Sequence, residues 1–421
     1  MQNEYHDAPE DYEFIQEKIK DQDTKAQMRR GLPKIIGAGL LFGICASFTF
    51  TMMNPVMNRF FSSKAEEVTI QAEESTEEPS DIQVELPEEP ETTEPVEVKV
   101  DMELKHYKQL QQLLISTSRD VAKSIVTVTG ITDDDLAGGT FYDNNSVSGV
   151  IIADNHRELL ILARTSVSKK GDEIDITFFD SRTYKAAHKK AYSQLGLSIY
   201  SVNKADLSEK TLDVIQVAQI APSNSVKKGD TIICVGSPFG YEDSTAFGTA
   251  SNLFNTISRT DGEYRLISSD LVGTTSSTGV FADLEGRIVA VVDGSISEET
   301  GCPQLFGYEI NSIVNVIETL SNGKDFPYTG INGYTVTERM FQSGIPAGIY
   351  VDSVVTDSPA MEAGIQSGDV ITSINHASVS AMSSYQKYLG EATPGDEITL
   401  VGMRFGKKGY KQITYKVTCT K

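Results

Sequence analysis

Between Ile35 and Asn58 the chain carries no charged side chain, and from Ile35 to Met53 nearly every residue is apolar or small. A helix needs about 20 such residues to cross the hydrocarbon core of a bilayer, so residues 35–57 are expected to form one transmembrane helix. A cleaved signal peptide fits poorly, because the segment before the run is long and acidic at its start and no Ala-x-Ala site follows it. Ile44 also fills the position before Cys45, where a lipoprotein site requires a small residue. Lys18, Lys20, Lys25, Arg29, Arg30 and Lys34 precede the run, whereas only Arg59 and Lys64 follow it closely. That asymmetry keeps residues 1–34 in the cytoplasm and sends everything beyond the span to the other side, as a single-pass protein of the cell membrane. Gly39, Gly43 and Ser47 recur every fourth residue and place small side chains on one helix face, where a second helix can approach.

The formal net charge of −22 argues against a chain that grips phosphate backbones, so nucleic acid is not an expected partner. Much of that charge is local. From Glu66 to Glu97 acidic residues recur with no Lys or Arg among them, interrupted by Pro79, Pro87, Pro90 and Pro95. Such a segment buries too little apolar surface to offset its chain entropy. Residues 58–101 are therefore expected to be a disordered acidic linker that displays the folded part away from the membrane. Of the 421 residues only four are cysteines, Cys45, Cys234, Cys302 and Cys419, at spacings that match neither a disulfide framework nor a metal site. No metal and no cofactor are expected.

Beyond the linker the pattern changes. Leu104, Tyr107, Leu110, Leu113, Leu114 and Val121 recur at helical spacing and predict a helix over 104–122. Short β-branched runs separated by turn signals then predict strands at 124–129, 147–152, 159–163, 173–179, 198–202, 212–219, 231–235, 265–268 and 287–292. That spacing is the signature of an all-β barrel or sandwich. An amphipathic helix at 310–320 closes the unit. From Phe326 a second unit begins, with strands at 348–354 and 397–403 and helices at 358–363 and 382–391, compact and α+β.

In the first unit the strings Ser148-Gly149-Val150-Ile151-Ile152, Val235-Gly236-Ser237-Pro238-Phe239-Gly240 and Leu284-Glu285-Gly286-Arg287-Ile288-Val289 occur in that order, and in the second Tyr328-Thr329-Gly330-Ile331, Asp357-Ser358-Pro359-Ala360 and Gly368-Asp369-Val370-Ile371. Together they resemble the HtrA/Deg family of membrane-associated serine proteases. The first is similar to the strand before that family's catalytic histidine, the second to its Gly-Asn-Pro-Phe-Gly segment and the third to the hairpin after the nucleophile, while the strings of the second unit are PDZ-like. The resemblance implies a mainly β fold, with a trypsin-like double β-barrel over 102–325 and an α+β PDZ domain over 326–421. It also implies assembly, as a homotrimer or with active relatives.

Where the family's chemistry should sit, this chain departs from it. A hydrolytic triad needs a hydroxyl nucleophile, an imidazole to take its proton and a carboxylate to hold the imidazole. By resemblance, Arg164 or Thr165 stands in place of the histidine and Gly196 in place of the aspartate. A guanidinium stays protonated and a hydroxyl is far too weak a base. Ser277 survives at the nucleophile position, within Thr275-Ser276-Ser277-Thr278-Gly279, but Thr275 replaces the glycine that would give the oxyanion a backbone N–H. The expectation is a pseudoprotease. Two substitutes for the base present themselves, His156 in the turn Asp154-Asn155-His156-Arg157 and a dyad of Ser277 with Lys169 or Lys170. Neither is favoured, since the turn lies at the far end of its strand and adjacent lysines in a polar loop are normally solvated.

A PDZ domain captures a peptide as an added strand and holds its terminal carboxylate in the backbone N–H groups of a glycine-containing loop. By resemblance that loop is Tyr328, Thr329, Gly330 and Ile331. The expected function is recognition of peptide or protein C-termini in envelope protein quality control or regulation. The alternatives are an active endopeptidase using Ser277 with an atypical base, and a structural surface spacer.

Overall fold

In a computed structural model of the chain, residues 67, 69, 103–131, 146–167, 173–222 and 224–421 are described. The expected span and nearly all of the acidic linker lie outside them, as do Lys169 and Lys170. Among the described residues no helix is long and apolar enough to cross a membrane.

The first helix, α1 (Leu104–Ala122), has the predicted bounds. His106 Nδ1 accepts the backbone N–H of Glu103 at its start (3.3 Å). Val121 is buried and Leu114 packs on the core, while Leu104, Tyr107, Leu110 and Leu113 are exposed. Six strands follow: β1 (Ile125–Ile131), β2 (Ser146–Asp154), β3 (Glu158–Arg164), β4 (Glu173–Thr177), β5 (Thr183–Tyr192) and β6 (Leu197–Asn203). They close into a barrel in the order β1-β2-β3-β6-β5-β4. After helix α2 (Glu209–Val214) come β7 (Thr231–Ser237), β8 (Ser244–Arg259), β9 (Gly262–Val272), β10 (Thr278–Ala282), β11 (Ile288–Asp293) and β12 (Gln304–Glu309), with helix α3 (Ser295–Thr300) between the last two. These close into a second barrel, β10-β11-β12-β9-β8-β7. Helix α4 (Ile310–Ser321) ends this part at the expected place.

The unbroken apolar runs of β3 and β7 have a physical cause. Side chains alternate between the two faces of a strand. Leu159, Ile161 and Ala163 point into the first barrel's own core, while Leu160 and Leu162 join a cluster shared between the barrels and α4. Ile232 and Cys234 face the interior of the second barrel, and Ile233 and Val235 join that shared cluster. Strands with two dry faces have no polar position to alternate with.

Two expectations are corrected here. Residues 212–219 form no strand: Ser208 caps a helix instead, its hydroxyl accepting the N–H of Thr211 (3.2 Å), and the β-branched residues beyond run on as extended chain. Polar capping chemistry outweighed β propensity. The lysine-rich segment around His188, where no strand is expected between 173–179 and 198–202, is strand β5. Its polar outer face is partnered, with Lys189 on Glu158 (3.0 Å) and Lys190 on Asp325 (2.7 Å). The long strand β8 was not foreseen either, because Ser, Thr and Asn residues dilute its apolar period.

The described residues from Glu67 to Lys421 fall in one compact unit. Its last part is a sheet of β13 (Ile331–Thr335), β14 (Ile349–Val354), β15 (Val370–Ile374), β16 (Ala377–Ser378), β17 (Glu397–Gly406) and β18 (Gly409–Thr418), in the order β13-β14-β15-β17-β18 with β16 on β15. Helices α5 (Glu338–Gln342), α6 (Pro359–Glu362) and α7 (Met382–Gly390) accompany it. Met382, Tyr385 and Leu389 of α7 cover a core that includes Ile331, Ile371, Ile374 and Leu400.

Candidate functional site

The fold brings together the residues that the sequence placed at the triad. Arg164 ends β3, and Thr165 begins a single 3₁₀ turn. The Thr165 N–H donates to the carbonyl of Gly196 (2.9 Å), just before β6. Gly196 has φ +63°, and the nearest atom to a side chain added there is Thr165 Oγ1 at 3.9 Å. Across from them the second barrel supplies Ser277, ahead of β10, and Asp293, whose register partner on β10 is Thr278.

Arg164 and Ser277 each bond to other groups. The Arg164 guanidinium reaches over to Asp293 of the second barrel and makes an ion pair in which the aspartate side chain is only 6% exposed. Asp293 Oδ1 also accepts the N–H (2.9 Å) and the hydroxyl (2.6 Å) of Ser295. Ser277 is fully buried. Its hydroxyl donates to the carbonyl of Pro238 (2.6 Å) and accepts the N–H of Thr274 (2.8 Å). No partner of that hydroxyl is a base able to take its proton. The Ser277 N–H, which the resemblance assigns to an oxyanion, donates instead to the carbonyl of Thr274 (3.0 Å). His156 lies in the β2–β3 turn at the other end of β3, with φ +66°, and His188 stacks edge-on against Tyr200.

The seam between the barrels is closed by short polar groups. Ser148 Oγ meets Ser237 Oγ at 2.9 Å, and the Ser148 N–H donates to Thr278 Oγ1 (3.0 Å). Gly236, at φ +132°, has no room for a side chain, since a β-carbon there would lie 2.7 Å from the Cα of Gly279. Arg164 and Asp293 extend this seam with charge.

The second candidate site is the loop before β13. Tyr328 pairs with Thr420, donating its N–H (2.9 Å) and accepting one (3.0 Å). Gly330 has φ +92°, and a β-carbon there would stand 2.2 Å from that of Ser358, so only glycine fits. The N–H groups of Thr329 (2.7 Å), Gly330 (2.8 Å) and Ile331 (3.0 Å) converge on one carboxylate, that of Asp261. The Thr329 hydroxyl bonds to it as well. Burial pushes the Asp261 carboxyl above its ordinary range, and the N–H groups of Gly330, Thr329 and Ile331 oppose that rise without cancelling it. Asp261 sits at the tip of the β8–β9 hairpin. Sequence reasoning missed it and Asp293: the pair Asp261-Gly262 signals a turn, but nothing local states what the turn docks against.

Two closed six-stranded barrels followed by this sheet define a trypsin-like domain joined to a PDZ domain. Residues 147–291 match the trypsin-like peptidase domain family and residues 320–416 the PDZ domain family. Among similar curated proteins is the probable periplasmic serine endoprotease DegP-like of Halomonas elongata, 24% identical over 277 residues, which are 64% of this chain and 56% of that protein. Serine protease Do-like HtrA of Bacillus subtilis is 24% identical over 323 residues, 70% of each chain. The chain spans just over half the length of the periplasmic relative. A solved structure described as HtrA-type protease AlgW with decapeptide overlays 73% of this chain and 98% of its own, at a TM-score of 0.52 and 19% identity, and so shares the fold. The chain thus joins a trypsin-like peptidase domain to a PDZ domain and is similar to HtrA-type serine proteases.

Proposed function

We propose that this chain is an HtrA-family protein without hydrolytic power, anchored by the span at 35–57 with its folded part outside the cytoplasm. Its work is to bind peptide or protein C-termini through the PDZ domain, in quality control or regulation of envelope proteins. What supports the first part is the bond from the Ser277 hydroxyl to the Pro238 carbonyl, which commits the nucleophile's proton to a backbone acceptor. Arg164 beside Asp293 supports it further, because a permanently protonated group occupies the place of the base. The glycine-containing loop with three convergent N–H groups supports the second part.

The test uses the full-length chain with casein and a fluorophosphonate probe, beside Ser277→Ala. Neither protein is expected to cleave casein or take up the probe. Labelling that vanishes in Ser277→Ala would instead establish an active endopeptidase. In place of activity the substitution is expected to cost stability, about 2 kcal/mol in urea unfolding, because the buried Pro238 carbonyl loses its donor and the Thr274 N–H its acceptor.

A further inference from the structure

A loop that binds carboxylates through backbone N–H groups is expected to wait for its ligand with those groups facing solvent. Here they are already satisfied from within the chain. Asp261 is fully buried, and both of its carboxylate oxygens accept backbone N–H groups of the loop, Oδ2 from Thr329 and Gly330, and Oδ1 from Ile331. That is the arrangement a peptide's terminal carboxylate takes in such a backbone nest.

The hairpin that carries Asp261 also takes the place of the peptide's chain. β13 is an edge strand, paired only with β14 on its other side. On its free edge the Asp261 N–H donates to the carbonyl of Ile331 (2.8 Å), so tip and edge exchange bonds in both directions as an added strand does. Farther along, the Thr260 hydroxyl meets Asn332 Oδ1 (2.8 Å) and Glu263 accepts from the Thr335 hydroxyl (3.3 Å). Gly262 lies so close to α7 that a β-carbon would stand 2.7 Å from Gln386 Nε2. The tip thus fills the space between β13 and α7.

We infer that Asp261 is an internal ligand of the Tyr328–Ile331 loop, so that the β8–β9 hairpin and a peptide C-terminus exclude one another. This rests on reading that loop as a C-terminus binder. A free peptide carboxylate enters only as Asp261 withdraws, and its entry releases the hairpin of the second barrel. Occupancy of the PDZ domain and position of the hairpin are then two readings of one equilibrium. The apparent affinity of the full chain is lowered by the fraction of molecules in which the hairpin is docked.

The experiment compares full-length wild type, Asp261→Ala and Asp261→Asn on an array of decapeptides shown with free C-termini, each beside its amidated twin. Affinities for the brightest members are then measured by fluorescence anisotropy. Both variants are expected to bind the free-carboxylate members on the order of ten- to a hundredfold more tightly than wild type. Asp261→Asn keeps the side chain's size and carries the test should the alanine variant not fold. Hydrogen exchange at residues 329–331 is expected to quicken in the variants and to slow again when peptide is added. Equal binding by all three proteins would overturn the internal ligand and leave the C-terminus reading standing. Absence of any preference for the free carboxylate, in variants as in wild type, would overturn both.

Discussion

Asp369→Ala is expected to remove about 3–5 kcal/mol from the PDZ domain, the cost of leaving one member of a buried ion pair without its partner. Asp369 is fully buried. Arg404 grips it through Nε and Nη2, both at 2.7 Å, and Tyr415 donates its hydroxyl at 2.9 Å. The same carboxylate accepts the N–H of Gln366 (2.9 Å), and Arg404 also holds the carbonyl of Gly364 (2.8 Å), so one side chain ties β17 and β18 to the turn before β15. A domain of this size has roughly 5–15 kcal/mol in total, and the melting temperature should fall by about 20 °C. Burial would raise the Asp369 carboxyl, but the bonds from Arg404, Gln366 and Tyr415 outweigh it and hold the group below the ordinary range. The bonds favour the ionised form, so their contribution is complete above the unfolded value, about pH 3.9, and fades as pH falls through the lower folded value. Urea unfolding of wild type and variant from pH 7 down to pH 2 should show the gap between them narrowing only at the acid end. A gap that stays constant with pH would remove the charge from the explanation.

Asp293→Ala comes second, with an expected loss of about 3 kcal/mol, because it leaves the Arg164 guanidinium against the second barrel with no carboxylate. The double substitution Arg164→Met with Asp293→Leu is expected to recover most of that loss, since it removes the charge and the desolvation cost together. A double-mutant cycle in urea measures the coupling. Additive single effects would mean that the pair does not join the barrels. Neither variant is expected to gain casein cleavage, because removing the ion pair supplies no base for Ser277.

Much of the fold was legible, and the reasons are local. Leu104 to Val121 recur at helical spacing. β3 and β7 stand out as unbroken apolar runs because each faces two cores, and Gly330 marks a turn at which only glycine fits. β8 was hidden because polar residues dilute its period, and α2 because β-branched residues follow its serine cap. That Arg164 takes Asp293 as its partner was not legible, since the two are 129 residues apart and meet only after both barrels have closed.

For this protein the sequence alone determined that α1, β3, β7 and α4 form, and that Arg164, Thr165 and Gly196 offer no general base. Periodicity, turn residues and proton affinity are properties of short segments or single side chains. Only the tertiary structure decided which partner each polar group takes: Pro238 for Ser277, Asp293 for Arg164, and Asp261 for the loop before β13. A buried polar group must find a partner wherever the chain has brought one within reach. The carboxylate that fills the PDZ loop comes from a hairpin 69 residues before Gly330, brought there by the packing of one domain on the other.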